Sequence, residues 1–283
     1  MKRYKIIHRT YYNYETEITL GTHQLLLRPR EDHELRIESF ILKTTPDVKI
    51  FYNRDVEDNS VAVANFNQRV RQLLIESEVI IQQYNESPLD FLVSDYAVHY
   101  PFVYTAADQT ILSPYMILPQ ESTRVMLNEW IFNLYKMNES VQTYTLLQKL
   151  AKYIFTTLSY NVREEPGVQS VEETLLLGSG SCRDFASLFM EAAKCLGLAS
   201  RFVSGYLYAP LMIEDIGSTH AWAEVYIPGA GWKGFDPTIG DIVGSDHIAV
   251  AVARLPESIP PIAGSFSGNT KSELVVGVWV SLC

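Results

Sequence analysis

The sequence predicts an α+β protein built in two parts, and three changes of pattern along the chain lead to that prediction. Up to about residue 90 the chain consists of short strand-like runs separated by turn residues, without a competing helical period. From about Ser122 apolar residues recur at helical spacing, and beyond Gly197 the strand pattern returns. We therefore expect an N-terminal antiparallel β-sandwich-like domain and linker at residues 1–121, followed at residues 122–283 by helices packed on an antiparallel sheet.

Six strand-like runs fill the front of the chain. Each is rich in β-branched or aromatic residues, and turns containing Pro, Asn or Asp divide them at short intervals. The runs are Tyr4–Tyr14, Gln24–Arg30, Leu35–Lys43, Val48–Tyr52, Ser60–Phe66 and Arg71–Gln82. Residues 84–121 carry several X-Pro pairs among aromatic residues, and we interpret them as a linker on the surface of the domains.

Four helices are expected in the second part, each marked by an apolar face or a capping signal. They are Val125–Tyr135, Thr143–Leu158, Thr174–Leu177 behind a capping box of Ser170 and Glu173, and the segment between Cys182 and Gly197. Strands follow, with a loop at residues 209–218 and a tight hairpin at Pro228–Gly231. The strands are Arg201–Tyr208, Thr219–Ile227, Trp232–Asp236, Asp246–Arg254 and Glu273–Ser281.

Composition restricts the class of protein and its partners. The chain has 283 residues, of which 47% are hydrophobic and 20% charged, as is typical of a globular protein. Its net charge is −10 and lysine and arginine form no cluster, so neither nucleic acid nor a membrane is an expected partner. The N-terminus lacks the apolar run of a signal peptide, and no stretch approaches the roughly 18 apolar residues of a membrane span. The expected location is cytoplasmic.

The cysteine pattern argues against disulfides and structural metals. There are three cysteines, Cys182, Cys195 and Cys283, and an odd, small number does not form a disulfide framework. If Cys182 and Cys195 share a helix, they are separated by about 20 Å along its axis and cannot be bridged. No His or Cys cluster has zinc-site spacing and no acidic loop resembles a calcium site, so we expect no metal and no cofactor.

Cys182 lies where a glycine- and serine-rich stretch runs into an amphipathic helix. Ser179 or Ser181 can cap that helix, and Asp184 falls in its first turn, where a carboxylate suits the helix dipole. Unpaired backbone N–H groups and the positive end of the dipole stabilise a thiolate there, and the same N–H groups can hold a developing oxyanion. The alternative is a small, buried apolar cysteine, which is the commoner fate of a cytosolic thiol.

His220 and Asp236 are candidates for the other two members of a catalytic set. A cysteine nucleophile needs a general base within hydrogen-bond reach, and the base needs an acceptor that orients its second nitrogen. A three-residue hairpin loop places Trp222 opposite Asp236 and His220 diagonally on the same face, whereas a two- or four-residue loop requires a bulge. Taken singly, His220 fits a half-buried strand histidine and Asp236 a turn former, but their order after Cys182 favours catalysis.

Three blocks of the chain strongly resemble the bacterial transglutaminase-like superfamily. The blocks are Gly180–Ala186, His220–Tyr226, and Gly231–Trp232 with Phe235–Thr238. The front half, with Leu27–Arg30, is similar to the β-rich domain that often precedes this core in bacteria. The resemblance implies a papain-like catalytic core in which Cys182 is the nucleophile, His220 the base and Asp236 the residue that orients the imidazole.

The chain departs from the resembled pattern at three places outside the triad. Ser187 stands where relatives often carry histidine, and Ile239 where asparagine often follows the Asp-Pro-Thr motif. Arg254-Leu255-Pro256 replaces a frequent Arg-Asp-Tyr near the C-terminus. The last of these departures lies in the C-terminal segment expected to face the substrate, while the triad positions match.

The predicted function is cysteine-dependent acyl transfer on an amide bond of a peptide or protein, through a thioester. Hydrolysis of the thioester makes the protein a peptidase or amidase, which we favour for a cytosolic chain of bacterial type. Transfer to an amine makes it a protein-glutamine transglutaminase, and both outcomes use one site. A non-catalytic protein-binding module is the remaining alternative.

Three aromatic residues are secondary candidates for substrate binding. Trp222 and Trp232 could wall a cleft, although aromatic residues on a half-buried strand more often belong to the core. Tyr160 could donate a hydrogen bond to an oxyanion. The other histidines have no partner in the pattern, and we interpret them as surface or locally satisfied residues. They are His8, His23, His33, His99 and His247.

Overall fold

The computed structural model describes residues 1–84, 89–136, 139–163, 165–209 and 219–283. The α-helices in this part of the chain are α1 (Ala106–Leu112), α2 (Glu121–Phe132), α3 (Thr143–Thr157), α4 (Val171–Leu177) and α5 (Cys182–Cys195). The strands, numbered in chain order, are β1 (Lys2–Leu25), β2 (Leu35–Thr45), β3 (Ile50–Arg54), β4 (Ser60–Asn65), β5 (Arg69–Gln83), β6 (His99–Tyr100), β7 (Val141–Gln142), β8 (Ser159–Tyr160), β9 (Ser179–Gly180), β10 (Ser200–Leu207), β11 (His220–Ile227), β12 (Gly231–Asp236), β13 (Asp241–Ile242), β14 (His247–Ala253), β15 (Ile262–Ser267) and β16 (Ser272–Leu282).

The N-terminal region is one antiparallel sheet built around β1, a strand of 24 residues. Its order is β2-β5-β1-β4-β3, and β15 and β16 also pair with β1. The separate strand predicted at Gln24–Arg30 is wrong, because Gln24 and Leu25 end β1 and the chain then leaves the sheet. Pro29, which has no N–H to give a ladder, lies in this irregular segment.

The C-terminal segment joins the first sheet and not the second. Sequence patterning assigned residues 122–283 to one domain, with Glu273–Ser281 as a strand of its sheet. In the structure β16 pairs with β1 from Tyr4↔Leu282 to Tyr14↔Ser272, and β15, which was not predicted, pairs with β1 at Thr19–Leu25. The physical reason is that side-chain alternation marks a strand but does not specify which backbone edge it will pair with.

The linker predicted on the surface is partly buried. It contains α1, and Tyr100, Tyr104 and Leu112 are buried in it. The Tyr104 hydroxyl donates to the carbonyl of Tyr226 at 2.8 Å and accepts the N–H of Ala199 at 3.1 Å, which ties the segment to the second sheet. Of the predicted linker, residues 85–88 lie outside the described residues, as do residues 210–218 of the loop ahead of His220.

The second sheet has the order β13-β12-β11-β10-β14, and α5 packs against β11 and β10. The helix buries Phe185, Leu188 and Phe189 on the face that the sequence predicted. Phe189 stacks on Phe235 of β12 with ring centroids 5.5 Å apart. Burial of each such side chain stabilises the fold by about 1.5–3 kcal/mol, so α5 is firmly held on the sheet.

The two regions share a core. Tyr4, Ile6 and Val79 from the first sheet form one apolar cluster with Tyr206 and Ile248 from the second. The observed architecture is therefore the predicted α+β class, with a large antiparallel sheet packed on a region of helices and a smaller sheet. Across the described residues, the helices lack the length and apolarity that a bilayer crossing demands.

Candidate active site

The start of α5 is fixed by the buried carboxylate of Asp184. One oxygen accepts the Ser181 N–H and hydroxyl at 2.8 and 2.7 Å. The other accepts the Gln169 N–H and an Arg163 N–H, both at 2.7 Å. Burial would raise the pKa of Asp184, but these hydrogen bonds outweigh it and hold the pKa below its usual value. The network anchors the loop before α4 to the first turn of α5.

Cys182 is the first residue of α5, as the sequence predicted. Gly178, with φ of 62°, ends α4 in the left-handed conformation and turns the chain toward the cysteine. Ser179 and Gly180 pair in parallel with Ser159 and Tyr160. This pairing supports one side of the segment that leads into Cys182. The Cys182 thiol is half-buried and free, and Cys195 and Cys283 are free as well.

The backbone N–H groups of Cys182 and Arg183 lie in the first turn of α5, where no preceding turn offers a carbonyl. Among the described residues, no acceptor is found for either N–H group. At the N-terminus of a helix such N–H groups point away from the helix body, at the positive end of the dipole. An oxyanion that forms on a carbonyl attacked by the sulfur would find two donors there.

The register of the β11–β12 hairpin shows how many residues its loop contains, and therefore whether His220 and Asp236 lie on the same face. The pairs Ile227↔Gly231 and Ala223↔Phe235 leave a loop of three residues, 228–230, so that no bulge is needed. This register carries His220 and Asp236 to the same face, as the three-residue alternative predicted. The His220 Nε2 atom lies 2.6 Å from Asp236 Oδ2.

The Cys182 thiol lies close enough to His220 to contribute to the pKa of its imidazole. Because Nε2 is hydrogen-bonded to Asp236, Nδ1 is the ring nitrogen that is left to exchange a proton with the sulfur. Burial opposes a charged imidazole, but the partners Asp236 and Cys182 raise the pKa of His220 to about 10. The arrangement therefore favours a positively charged imidazolium beside the Asp236 carboxylate and the Cys182 thiol.

Asp236 is completely buried and accepts three hydrogen bonds. Its Oδ1 takes the Thr238 N–H at 2.8 Å, and Oδ2 takes His220 and also His247 Nε2 at 3.1 Å. Burial would raise the pKa of Asp236, but the two histidines hold it far below its usual value. A carboxylate that stays ionised can stabilise positive charge on His220 over the whole working range of pH.

The sequence pattern did not indicate His247 as a residue of the site. It was interpreted as a surface or locally satisfied histidine, and the structure places it, buried, on the orienting carboxylate. It begins β14, which pairs with β10 and not with β12. Its proximity to Asp236 is therefore not a pairing of neighbouring strands, and the sequence holds no local signal for it.

The atoms of His220, Asp236 and His247 that could bind a metal lie within 4.8 Å of one another. Two imidazoles and a carboxylate form a donor set that zinc and iron both use. The observed N···O distances of 2.6 and 3.1 Å are those of direct hydrogen bonds, so the three side chains satisfy each other as they stand.

Of the secondary candidates, Tyr160 lies near the thiol. Its ring is 47% exposed, and burial together with the neighbouring Cys182 and Asp236 raises the pKa of its hydroxyl. Trp222 is 1% exposed and packs edge-on against His247 at 5.2 Å, so it belongs to the core and does not wall a cleft. Trp232 lies at the hairpin end of β12, under the Arg201 guanidinium at 4.3 Å.

Comparison with known proteins gives matches over both regions. Residues 135–237 match the transglutaminase-like superfamily, and residues 4–82 match the bacterial transglutaminase-like N-terminal region. An uncharacterized Mycobacterium tuberculosis protein is 27% identical over 96% of this chain and 90% of its own length. An uncharacterized Mycobacterium leprae protein is 23% identical over 99% of both. A crystal structure from Cytophaga hutchinsonii, described as a "Putative Cysteine Protease", covers 99% of this chain and 90% of that chain with a TM-score of 0.76 at 18% identity.

Proposed function

Because residues 135–237 belong to the transglutaminase-like superfamily and residues 4–82 to its bacterial N-terminal region, we propose that this protein is a cysteine-dependent acyl-transfer enzyme acting on amide bonds. The observation that carries the proposal is the order Cys182, His220, Asp236 in space. The imidazole is hydrogen-bonded to the carboxylate at 2.6 Å and lies close enough to the Cys182 thiol for the thiol to raise its pKa. Nucleophile, base and orienting acceptor are thus near one another before any substrate arrives.

In the first half of the reaction, the Cys182 thiolate attacks the carbonyl carbon of the amide. The carbonyl oxygen becomes an oxyanion, which the N–H groups of Cys182 and Arg183 can hold. The C–N bond then breaks, and His220 passes its proton to the departing nitrogen. The products are a free amine and a thioester on Cys182.

In the second half, His220 is neutral and accepts a proton from the group that attacks the thioester. Water gives a carboxylic acid and a peptidase or amidase, whereas a primary amine gives a new amide and a transglutaminase. The C–S bond breaks and the thiolate and imidazolium are restored. We favour hydrolysis, and the similarity in fold to a protein described as a "Putative Cysteine Protease" supports that choice. The substrate is then a peptide or protein amide, and the three unpaired cysteines support a cytoplasmic location.

The deciding assay is turnover of a glutamine-containing peptide with and without a primary amine, with Cys182→Ala as the control. We expect release of acid and amine, or of acid and ammonia, that the amine does not suppress, and no turnover by Cys182→Ala. Amine incorporation that exceeds acid release would instead assign the transglutaminase activity. Equal turnover by Cys182→Ala would remove the enzyme hypothesis.

Alkylation by iodoacetamide separates an enzyme from a binding module without knowledge of the substrate. The chain offers internal references, because Cys283 is exposed and Cys195 is half-buried with a pKa raised by burial to about 11. Near neutral pH we expect Cys182 to react first, since its partner His220 stabilises the thiolate. If Cys283 reacts as fast as Cys182, the thiol is not activated and the binding module is favoured.

A further inference from the structure

A second histidine contacts the carboxylate of the proposed triad. His247 opens β14 and is buried, with its ring 5.2 Å from Trp222 and 6.2 Å from His220. It is one of two histidines bound to the same atom, Asp236 Oδ2. The proposed reaction gives His247 no role. A buried titratable side chain that contacts the orienting carboxylate is nevertheless expected to have one.

The hydrogen bonds of His247 define which nitrogen carries its proton. The backbone N–H of Gly244 donates to Nδ1 at 3.2 Å, so Nδ1 is an acceptor. Nε2 therefore carries the hydrogen of the neutral ring and donates it to Asp236 Oδ2 at 3.1 Å. A neutral imidazole in this tautomer can hold the carboxylate without competing with His220 for the role of base.

We propose that His247 is a positioning residue that holds Asp236 in the orientation required by His220. A carboxylate turns readily about its last side-chain bond, and Thr238 fixes only Oδ1. The Nε2–H of His247 fixes Oδ2, so both oxygens are held and His220 meets a carboxylate that does not rotate. This inference rests on the proposed function for its effect on turnover, but its effect on the reactivity of Cys182 can be measured independently.

The backbone beside His247 is anchored by the N-terminal sheet. Asp246 Oδ1 accepts the Lys2 ammonium at 2.7 Å and the Tyr4 hydroxyl at 2.5 Å, and both donors belong to β1. The charged or titratable groups that face His247 are therefore Asp236 from β12, His220 from β11 and Asp246 with its partners from β1. The first sheet thus holds Asp246, and the next residue, His247, holds Asp236 in the second sheet.

The test compares three variants of the full-length chain. His247→Leu removes the N–H donor, whereas His247→Gln keeps a donor because its amide nitrogen can occupy the place of Nε2. His8→Gln is the matched control, since His8 is buried and bound to Tyr206 and Thr10 at 2.9 and 3.0 Å, without contact to the triad. The readouts are the pH dependence of Cys182 alkylation by iodoacetamide, and kcat and KM where turnover is found.

We expect His247→Leu to shift the acidic limb of Cys182 alkylation to higher pH by about one unit, because a less well-held imidazolium stabilises the thiolate less. We expect kcat to fall roughly tenfold with KM changed less than about twofold, as for loss of one hydrogen bond to a charged group. His247→Gln should recover most of both effects, and His8→Gln should show neither.

An alkylation profile of His247→Leu that coincides with the parent profile overturns the proposal, as does His247→Gln behaving like His247→Leu. Should His247→Leu fail to fold, ¹⁵N NMR of the histidine rings in the parent protein at about pH 8 decides. We expect His247 with hydrogen on Nε2 and not on Nδ1, and the opposite tautomer contradicts the proposal. If turnover is absent but the alkylation limb shifts, the proposed enzymatic function fails while the positioning role stands.

Discussion

Two buried carboxylates, at the start of α5 and the end of β12, differ in what their hydrogen-bond partners can do. Neither the Asp184 nor the Asp236 side chain is exposed, and each accepts at least three hydrogen bonds. Asp184 binds backbone N–H groups, a hydroxyl and the Arg163 guanidinium, which keeps its proton at any ordinary pH. Asp236 binds two imidazoles, one of which belongs to His220, the base of the proposed reaction.

The difference shows that burial and full hydrogen bonding alone do not mark a reactive group. Both carboxylates have a pKa held below its ordinary value, so the direction of the shift does not separate them either. Asp184 fixes the backbone from which the sulfur projects. In the proposed reaction, Asp236 orients His220, the base that takes up the proton of the sulfur. The chemistry of the partner separates a structural carboxylate from one that serves a reaction.

The largest expected effect comes from Asp236→Asn. The amide cannot supply the negative charge that stabilises the His220 imidazolium, and it offers a donor where an acceptor is needed. We expect kcat/KM for a cleaved peptide amide to fall by roughly 10³-fold or more, while the far-UV circular dichroism spectrum stays unchanged. A fall of less than tenfold would mean that the carboxylate does not orient the base.

The matching change at the other carboxylate, Asp184→Asn, should act on stability. It leaves Arg163 without its buried counter-ion, and loss of one partner of such a pair costs about 3 kcal/mol of unfolding free energy. Urea unfolding at neutral pH measures this cost. Per folded molecule, alkylation of Cys182 should change less than about threefold. A variant of parental stability whose thiol has lost its reactivity would reverse the roles of the two carboxylates.

The stabilisation from Asp184 should also depend on pH with a definite sign. Its pKa is lower in the folded than in the unfolded chain, so the contribution is present above the ordinary pKa of an aspartate. It is lost as the pH falls through the folded pKa. The difference in unfolding free energy between the parent and Asp184→Asn should therefore shrink on acidification. A difference that stays constant down to strongly acidic pH would contradict the assigned ion pair.

The smallest expected effect is the loss of acylation rate at alkaline pH. The pKa of His220 is raised to about 10, so the imidazolium that protonates the departing amine persists through mildly alkaline pH. The same shift favours the folded state fully below the ordinary pKa of histidine, and this contribution disappears as the pH rises through about 10. Single-turnover acylation should fall above about pH 10, and a fall near neutral pH would contradict the assigned environment.

The sequence by itself specified the local parts of this protein. The apolar period and Gly197 located α5 and placed Cys182 at its start, because helix signals act within one or two turns. For the hairpin of β11 and β12 the sequence left the loop length open, and the structure selected the three-residue alternative. The three residues of the proposed triad were therefore within reach of motif and spacing.

Only the tertiary structure decided the contacts between elements that are distant along the chain. The pairing of β15 and β16 with β1 and the position of β14 beside β10 bring together segments that no local pattern connects. His247 reaches Asp236 although β14 and β12 are not neighbours in the sheet, and Lys2 and Tyr4 reach Asp246 through the packing of one sheet on the other. The physical reason is that alternation along a strand encodes which face is buried, whereas the choice of neighbouring strand depends on packing over the whole core.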